Sequence, residues 1–504
     1  MQTSRRRRQA FPMEALAIER RVAEPIQRQL YRQIAAMIRD KRLMPGSELP
    51  STRALAEDLG LARNTIVGAY DQLTTEGYLT CRRGARAIVV DLPANSLDKD
   101  KRGTSASAIR HPLSKRGESL MRQPFHHGAP GRFAFHPGMP DAQNFPFGVW
   151  GRLLARRATF GADMLFGTYH VTGLPALKEA IASYLVSARG VRCSPEQIVV
   201  TTGAQAAFDL LARLLLDPGD TVWLEEPGYY AARATFTVAG ANIMPLAVDR
   251  DGWQMNPPEI APRLIYVTPA CQHPLGITMR MDQRLRLFEI AERHNSWIIE
   301  DDFDGEYRFQ GRPVPAIQSM DCGDRVIYVG TFAKLLFPAL RLGFMVLPPA
   351  LCEGIPHALS TTGQFAPLVL QAALADFIDE GHMSRHLKRM RRIYSERRKL
   401  FHDLFAAELP ADLTLSPAEA GIQLVAHLPE GCDDCAVVEA ADRLGINASP
   451  LSKYYWSTSG NGLVLGYAAC NKAQSEAGIR RLRQAIEQAR TLPTPGRLAL
   501  NVDK

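Results

Sequence analysis

Apolar positions along the chain change their spacing several times, and the changes divide it. Ile26, Leu30, Ile34 and Ile38 fall on one helical stripe, which the Pro45-Gly46 pair brings to an end. PSTRALAEDLG then reads as a short helix with Ser51 as N-cap and Gly60 just past its end. After Leu61 and Ala62 a second helix, RNTIVGAYDQLTTEG, turns Ile66, Tyr70 and Leu73 inward and closes on Gly77. Two short helices joined by so tight a turn form a helix-turn-helix, whose second member enters the major groove by its N-terminal residues. The spacing next shortens to two: YLTCRRGARAIVV predicts a β-hairpin with Arg82, Arg83 and Arg86 around Gly84, a basic wing.

From Asp91 to about Pro130 no period survives, and the Ser-, Lys-, Arg- and Asp-rich composition reads as a flexible tether. Beyond it, strands and helices alternate. QIVVTTGAQ, TVWLEE, LIYVTPA, SWIIEDD and RVIYVGTFA have the look of short buried strands, and AAFDLLARLLL and MDQRLRLFEIAERHN of the helices between them. The alternation predicts an α/β fold with a mainly parallel sheet, whose functional loops gather at the carboxyl ends of the strands, followed by a smaller C-terminal part. The expected division is a basic disordered arm over 1–19, a DNA-binding head over 20–90, a flexible linker over 91–130 and a large unit over 131–490.

Composition sharpens this picture in two places. The chain has 504 residues, 46% hydrophobic and 22% charged, and contains no apolar run of membrane-spanning length. Its charge is uneven: residues 1–90 carry 16 Lys and Arg against 9 Asp and Glu, a net +7 of the whole chain's +8, which suits binding to a polyanion. No apolar stretch follows Arg5–Arg8, so a secretory signal is not expected. Eight scattered cysteines suit a reducing, cytoplasmic setting, and Cys432-x-x-Cys435 lacks the second pair or nearby histidines of a metal site.

Candidate chemistry centres on Lys334, set among Phe332, Ala333, Leu335, Leu336 and Phe337. Only one other lysine, Lys178, occurs between residues 141 and 387. Desolvation lowers an amine's pKa and makes it a nucleophile toward carbonyls; the alternative is a buried lysine paired to a carboxylate. Neighbouring elements bear on the choice. Backbone N–H groups of Ala204 and Gln205, at a helix start after a buried strand, suit phosphate, and Arg341 can complete the clamp. WIIEDD ends a strand on acids, one of which can hold a pyridine nitrogen protonated, and Tyr229 in EEPGYY is placed to cover a ring face. Pyridoxal 5'-phosphate requires this set.

Both regions resemble known families. LPSTRALAEDLG, RNTIVGAYDQLTTEGYL and the wing resemble the GntR-type winged helix-turn-helix. TYHVTGLPALKEAIA, TTGAQAAFDLL, EEPGYY, TPACQHPLG, IIEDDFDGEYRF and GTFAKLLFPALRLG occur in the order seen in fold-type I aminotransferases. Joined, they resemble the MocR/GabR family of pyridoxal-phosphate-dependent transcription regulators. The resemblance implies DNA contacts from Arg53, Arg63, Asn64 and Thr65, with Arg83 in the basic wing, and Lys334 as the Schiff-base lysine. It also implies Asp301, rather than Asp302, on the pyridine nitrogen, and phosphate contacts from Ala204, Gln205 and Arg341. A homodimer, with the head of one chain on the body of the other, is implied too. So is an operator in double-stranded DNA and a small amine or amino-acid-like effector. An active aminotransferase with an appended head is the alternative.

The chain departs from the family in several places. Ala62 replaces a serine cap, and Arg86 a frequent glycine. Phe303 stands where a tyrosine often bonds the cofactor's phenolic oxygen. His273 stands where catalytic aminotransferases carry an asparagine for the same oxygen; it is either a substitute donor or a structural histidine. As a titratable donor it would make the cofactor's absorbance pH-sensitive near neutrality. The late strand NGLVLGYAA lacks the arginine that holds a substrate carboxylate, and none occurs between Arg443 and Arg480; Arg233 and Lys453 are candidate substitutes. DNA affinity should fall steeply with salt as arginines displace counterions from phosphates; binding measured across a salt series and found constant would contradict the winged-helix reading.

Overall fold

Helix α1 (Ile26–Arg39) buries Leu30, Ile34, Met37 and Ile38 against α2 (Thr52–Leu59) and α3 (Arg63–Thr75), which contribute Leu55, Ile66, Tyr70 and Leu73. Each such aliphatic side chain contributes roughly 1.5–3 kcal/mol. The Ser51 hydroxyl accepts from the Ala54 N–H at 3.2 Å and caps α2, Gly60 ends it in the left-handed region at φ 60°, and Ala62 starts α3 with no side-chain cap. Strands β1 (Leu79–Thr80) and β2 (Ile88–Val89) pair antiparallel as the base of the wing. This is a computed structural model, and it describes residues 11–81, 86–91, 113–123, 134–160, 165–256, 260–309, 311, 314–321 and 324–491. Arg82 and Arg83 lie outside them, as does the Arg5–Arg8 run. Arg86 pairs with Glu48 at 3.7 Å.

Two expected boundaries are corrected. Residues 11–19 are not a disordered arm: Phe11, Met13, Leu16 and Ile18 pack on the head's core, and the Gln33 side chain bonds both the N–H and the C=O of Ala17. The expected linker contains helix α4 (Lys115–Arg122), capped by Ser114, whose hydroxyl accepts from Gly117 N–H at 3.1 Å. That helix buries none of its residues, so no apolar stripe marked it in the sequence. The chain divides into compact units at Pro112 and Leu113, which places α4 with the large unit.

The large unit is built on an eight-stranded sheet of order β3-β10-β9-β8-β7-β4-β5-β6. Its strands are β3 (Ile198–Thr201), β4 (Thr221–Glu226), β5 (Asn242–Asp249), β6 (Gly252–Trp253), β7 (Leu264–Val267), β8 (Trp297–Asp302), β9 (Val326–Thr331) and β10 (Gly343–Val346). From β9 through β8, β7 and β4 to β5 the neighbours run parallel; β10 is antiparallel to both β9 and β3, and β6 to β5. β3, β4, β7, β9 and β10 are buried along their whole length, as strands covered on both faces must be. Helices α5 (Ala204–Leu215), α6 (Tyr230–Ala239) and α7 (Met281–His294) lie among the connections. The smaller C-terminal part is the antiparallel sheet β11-β12-β14-β13, from Thr414–Leu415, Gln423–His427, Gly462–Gly466 and Ser449–Pro450. Helices α8 (His382–Glu408), α9 (Asp434–Arg443) and α10 (Lys472–Thr491) pack together beside it.

A buried ion pair stitches the sheet's interior. Arg189 Nε donates to Asp302 Oδ2 at 2.6 Å, and the Tyr328 hydroxyl donates to the same oxygen at 2.7 Å. Both charged side chains are 1% exposed, so neither can be repaired by water once its partner is lost. Arg189→Leu is therefore expected to cost about 3–5 kcal/mol of the large unit's stability. Denaturant unfolding followed by the body's tryptophans checks this, and an unchanged midpoint would contradict it.

Candidate cofactor site and DNA-binding face

Side chains alternate along β8, and its last two residues separate accordingly. Asp302 turns to Arg189. Asp301 turns the other way, where its Oδ2 accepts from the Tyr266 hydroxyl of β7 at 2.5 Å while its Oδ1 is buried without a partner. Burial pushes the Asp301 carboxyl up to about 7, with further upward pressure from Asp302, Glu225 and Asp304, against the hydrogen bond from Tyr266. An acid so placed is stabilised as a carboxylate by any cation that faces Oδ1.

Lys334 follows β9 and its amine is held out of water. Nζ donates to the Gly138 carbonyl at 2.6 Å; Gly138 has φ +64°, in the left-handed region that favours glycine, and a Cβ there would come within 2.8 Å of Nζ. Desolvation lowers the lysine's pKa, opposed by the nearby charges of Asp304 and Asp301. Asp304 Oδ2 accepts from the Ile422 N–H at 3.2 Å; its Oδ1 is buried and unpartnered, and burial raises this carboxyl to about 7. Lys178 is half-buried, with its amine 3.4 Å from the Thr172 hydroxyl and its pKa lowered by desolvation.

A cradle lies at the start of α5. Gly203 caps this helix at φ +112°, and the first two N–H groups, of Ala204 and Gln205, have no acceptor within the helix. The Arg341 guanidinium lies against Gly203, its carbon 3.6 Å from where a Cβ would stand. Among the described residues Arg341 makes no ion pair. The Gln205 amide donates to the Ala231 carbonyl at 3.1 Å and to the Thr235 hydroxyl, tying the cradle to α6, which Tyr229 precedes. The Tyr229 phenol is raised first by burial, then by Tyr230 and Asp301, and lowered by Arg341.

His273 closes the remaining side. Its ring meets Tyr229, Phe303 and Tyr454 edge-on at centroid distances of 5.3, 5.4 and 5.4 Å. Nδ1 lies 3.3 Å from the Gln423 amide nitrogen, and Nε2 is buried without a partner. Burial, then the Lys334 charge, lowers its pKa to about 3. Both causes favour the neutral ring in the cofactor-free protein.

On the head, Arg53 and Arg63 stand exposed in the first turns of α2 and α3, with Asn64 exposed and Thr65 half-buried beside them. Neither arginine is in an ion pair among the described residues. Two cationic side chains at helix starts can approach phosphate without breaking a protein contact.

Residues 139–482 match the family of class I and II aminotransferases, and residues 26–89 the gntR family of bacterial regulatory proteins. Over 95% of its length the chain is 48% identical to a Rhizobium meliloti protein described as a probable rhizopine catabolism regulatory protein MocR, of which it covers 98%. It is 31% identical to the pyridoxine biosynthesis transcriptional regulator PdxR of Corynebacterium glutamicum, over 88% of this chain and 91% of that one. The chain belongs to the MocR family of transcriptional regulators. A solved kynurenine aminotransferase of Pyrococcus horikoshii superposes with TM-score 0.66 at 26% identity, covering 78% of this chain and 98% of that one. This MocR-family chain is thus a DNA-binding transcriptional regulator with a GntR head, and its body has the fold of aminotransferases that bind pyridoxal phosphate. No helix among the described residues is long and apolar enough to cross a membrane.

The regulator's body brings Lys334, Asp301, Tyr229 and His273 within electrostatic or ring contact of one another, and Arg341 beside Ala204 and Gln205. Lys453 is exposed and does not join them; Arg233 stacks on Trp456 at 4.8 Å and carries a pKa lowered by burial. Tyr266, Asp304, Gly138 and Gln423 were missed in sequence. The third acid of DDFD, Asp304, was the one visible signal; the others are brought in only by tertiary packing. In cofactor-free protein Asp301 binds its proton more tightly folded than unfolded, so its contribution to stability falls as pH rises from the ordinary carboxylate range to about 7. Asp301→Asn should therefore gain in Tm relative to wild type across that window. A pH-independent difference would contradict the buried, unpartnered carboxyl.

Proposed function

We propose that this regulator binds pyridoxal phosphate at Lys334 and senses a small amine that competes with the lysine for it. The observation that carries the reading is the desolvated Lys334 amine near Asp301, whose Oδ1 is unpartnered, with Tyr229 in the field of both that acid and Arg341 of the cradle. When bound, pyridoxal phosphate supplies an electrophilic carbonyl carbon that can exchange one amine for another. The residues present fit the group. Asp301 Oδ1 would accept from its ring nitrogen, Tyr229 would cover its ring, and the N–H groups of Ala204 and Gln205 with Arg341 would hold its phosphate. His273 Nε2 would donate to its phenolic oxygen, the role a tyrosine at Phe303 would otherwise take. A cation at Oδ1 keeps Asp301 ionised, and low solvent access keeps Lys334 a nucleophile.

Sensing requires that the amine bind one conformation of the body better than another; equal affinity shifts nothing. A released Lys334 has the Gly138 carbonyl as acceptor. The late strand β14, Gly462–Gly466, carries no cation, and the charges felt at Lys334 are those of the acids Asp304 and Asp301. This favours an amine without a carboxylate over a simple α-amino acid. The description of the 48%-identical relative points to a catabolic operon as the target. Binding is to a double-stranded operator through Arg53, Arg63, Asn64 and Thr65, by a homodimer in which the heads exchange between bodies, in the cytoplasm.

Titration of cofactor-loaded protein with a panel of amines, read in parallel by absorbance and by operator binding, tests the reading. One class of amine is expected to change both with the same midpoint, without sustained keto-acid formation. Steady turnover would favour an aminotransferase, and an operator response that persists in Lys334→Ala would favour a body that only dimerises. Arg53→Ala should weaken operator binding uniformly across sequences and reduce the salt slope by about one; an unchanged slope would place Arg53 off the phosphates.

A further inference from the structure

The ring of His273 is fixed by a residue from the other sheet. Its backbone N–H donates to the Thr268 hydroxyl at 3.0 Å, and its carbonyl accepts from the Gln272 amide at 2.8 Å, so the main chain is held from its own loop. The side chain has one polar partner, the Gln423 amide nitrogen, 3.3 Å from Nδ1. Gln423 opens β12 and is 5% exposed. An amide nitrogen only donates, so Nδ1 must accept. A neutral imidazole that accepts at Nδ1 carries its proton on Nε2, the atom buried without a partner. Tyr229, Phe303 and Tyr454 pack the ring edge-on and offer Nε2 no acceptor among the described residues.

We propose that Gln423 is a positioning residue for the cofactor, holding His273 in the tautomer whose Nε2–H donates to the phenolic oxygen of pyridoxal phosphate. The inference rests on the cofactor reading above. It accounts for two departures at once: Phe303 gives up a donor, and His273 with Gln423 restores it from the adjoining ring. It also makes the donor sensitive to the C-terminal sheet, because Gln423 moves with β12 while His273 moves with the loop after β7. The lowered pKa of His273 supports a neutral ring, in which the choice of tautomer decides whether Nε2 donates or accepts.

Two measurements on the full chain test it. In cofactor-free protein with 15N-labelled histidine, the His273 ring is assigned by its loss in His273→Phe. The Nε2–H tautomer is expected, and the Nδ1–H tautomer or a charged ring overturns the proposal whether or not any Gln423 variant folds. In protein loaded with pyridoxal phosphate, a donor to the phenolic oxygen competes with the proton shared there. Gln423→Leu should therefore raise the pH midpoint of the cofactor's absorbance by on the order of one unit. In a His273→Phe background the same substitution should have no effect. An equal shift in both backgrounds, or none in either, overturns the proposal. Wild-type protein that acquires no cofactor absorbance would overturn the cofactor reading and the donor role with it, while an Nε2–H tautomer would still stand as a fact of the fold.

Discussion

The Lys334 amine leaves water beside the carboxyl ends of β8 and β9, where several acids are buried as well, and the body's polar interior is arranged around the cost of doing so. Glu225 accepts from Trp253 Nε1, the Thr268 N–H and the Thr268 hydroxyl. Glu300 accepts from the N–H groups of Ile317 and Gln318. Asp302 has Arg189, Tyr328 and the Gly305 N–H. Three acids are thus fully engaged by the protein. Asp301 and Asp304 each keep one oxygen unpartnered, and these are the two whose charge is felt at Lys334. Glu306 also keeps one oxygen unpartnered but is not among the charges felt at Lys334; the two oxygens beside the lysine are open to something that brings its own donors.

Around that point the aromatic residues do the work of a wall. Tyr229, Phe303 and Tyr454 surround His273 and exclude water from it, which keeps the imidazole neutral. A phenylalanine at 303 would leave a cofactor's phenolic oxygen short of a donor if nothing replaced the lost hydroxyl. The unpartnered Nε2 of His273 offers a replacement, and its orientation depends on Gln423 of the C-terminal sheet. The two sheets therefore meet through a polar contact at the site itself, the kind of contact a small relative movement can make or break.

Much of this was legible in the sequence, and the reasons for the exceptions are physical. Buried parallel strands are written as short apolar runs, so β3, β4, β7, β8 and β9 could be read directly, and with them the helix start at Ala204 and the acids ending β8. The helix-turn-helix announced itself through Ser51, Gly60 and the stripe of Ile66, Tyr70 and Leu73. Helix α4 carries no apolar face, and the segment at Phe11–Ile18 owes its order to the head rather than to its own pattern, so both were hidden. Gln423 is an amide at the start of a strand whose next three residues are apolar; only the tertiary structure carries it to His273. Lys453 illustrates the converse, a cation close in sequence to the site residue Tyr454 yet turned to solvent.

The account stands on Lys334 being the amine that holds the cofactor. Borohydride reduction of protein loaded with pyridoxal phosphate, followed by proteolysis and mass spectrometry, locates that amine directly. A single stoichiometric pyridoxyl modification on Lys334 is the predicted result. Modification at Lys178, the other half-buried lysine of the body, or labelling spread over surface lysines with Lys334 spared, would contradict it.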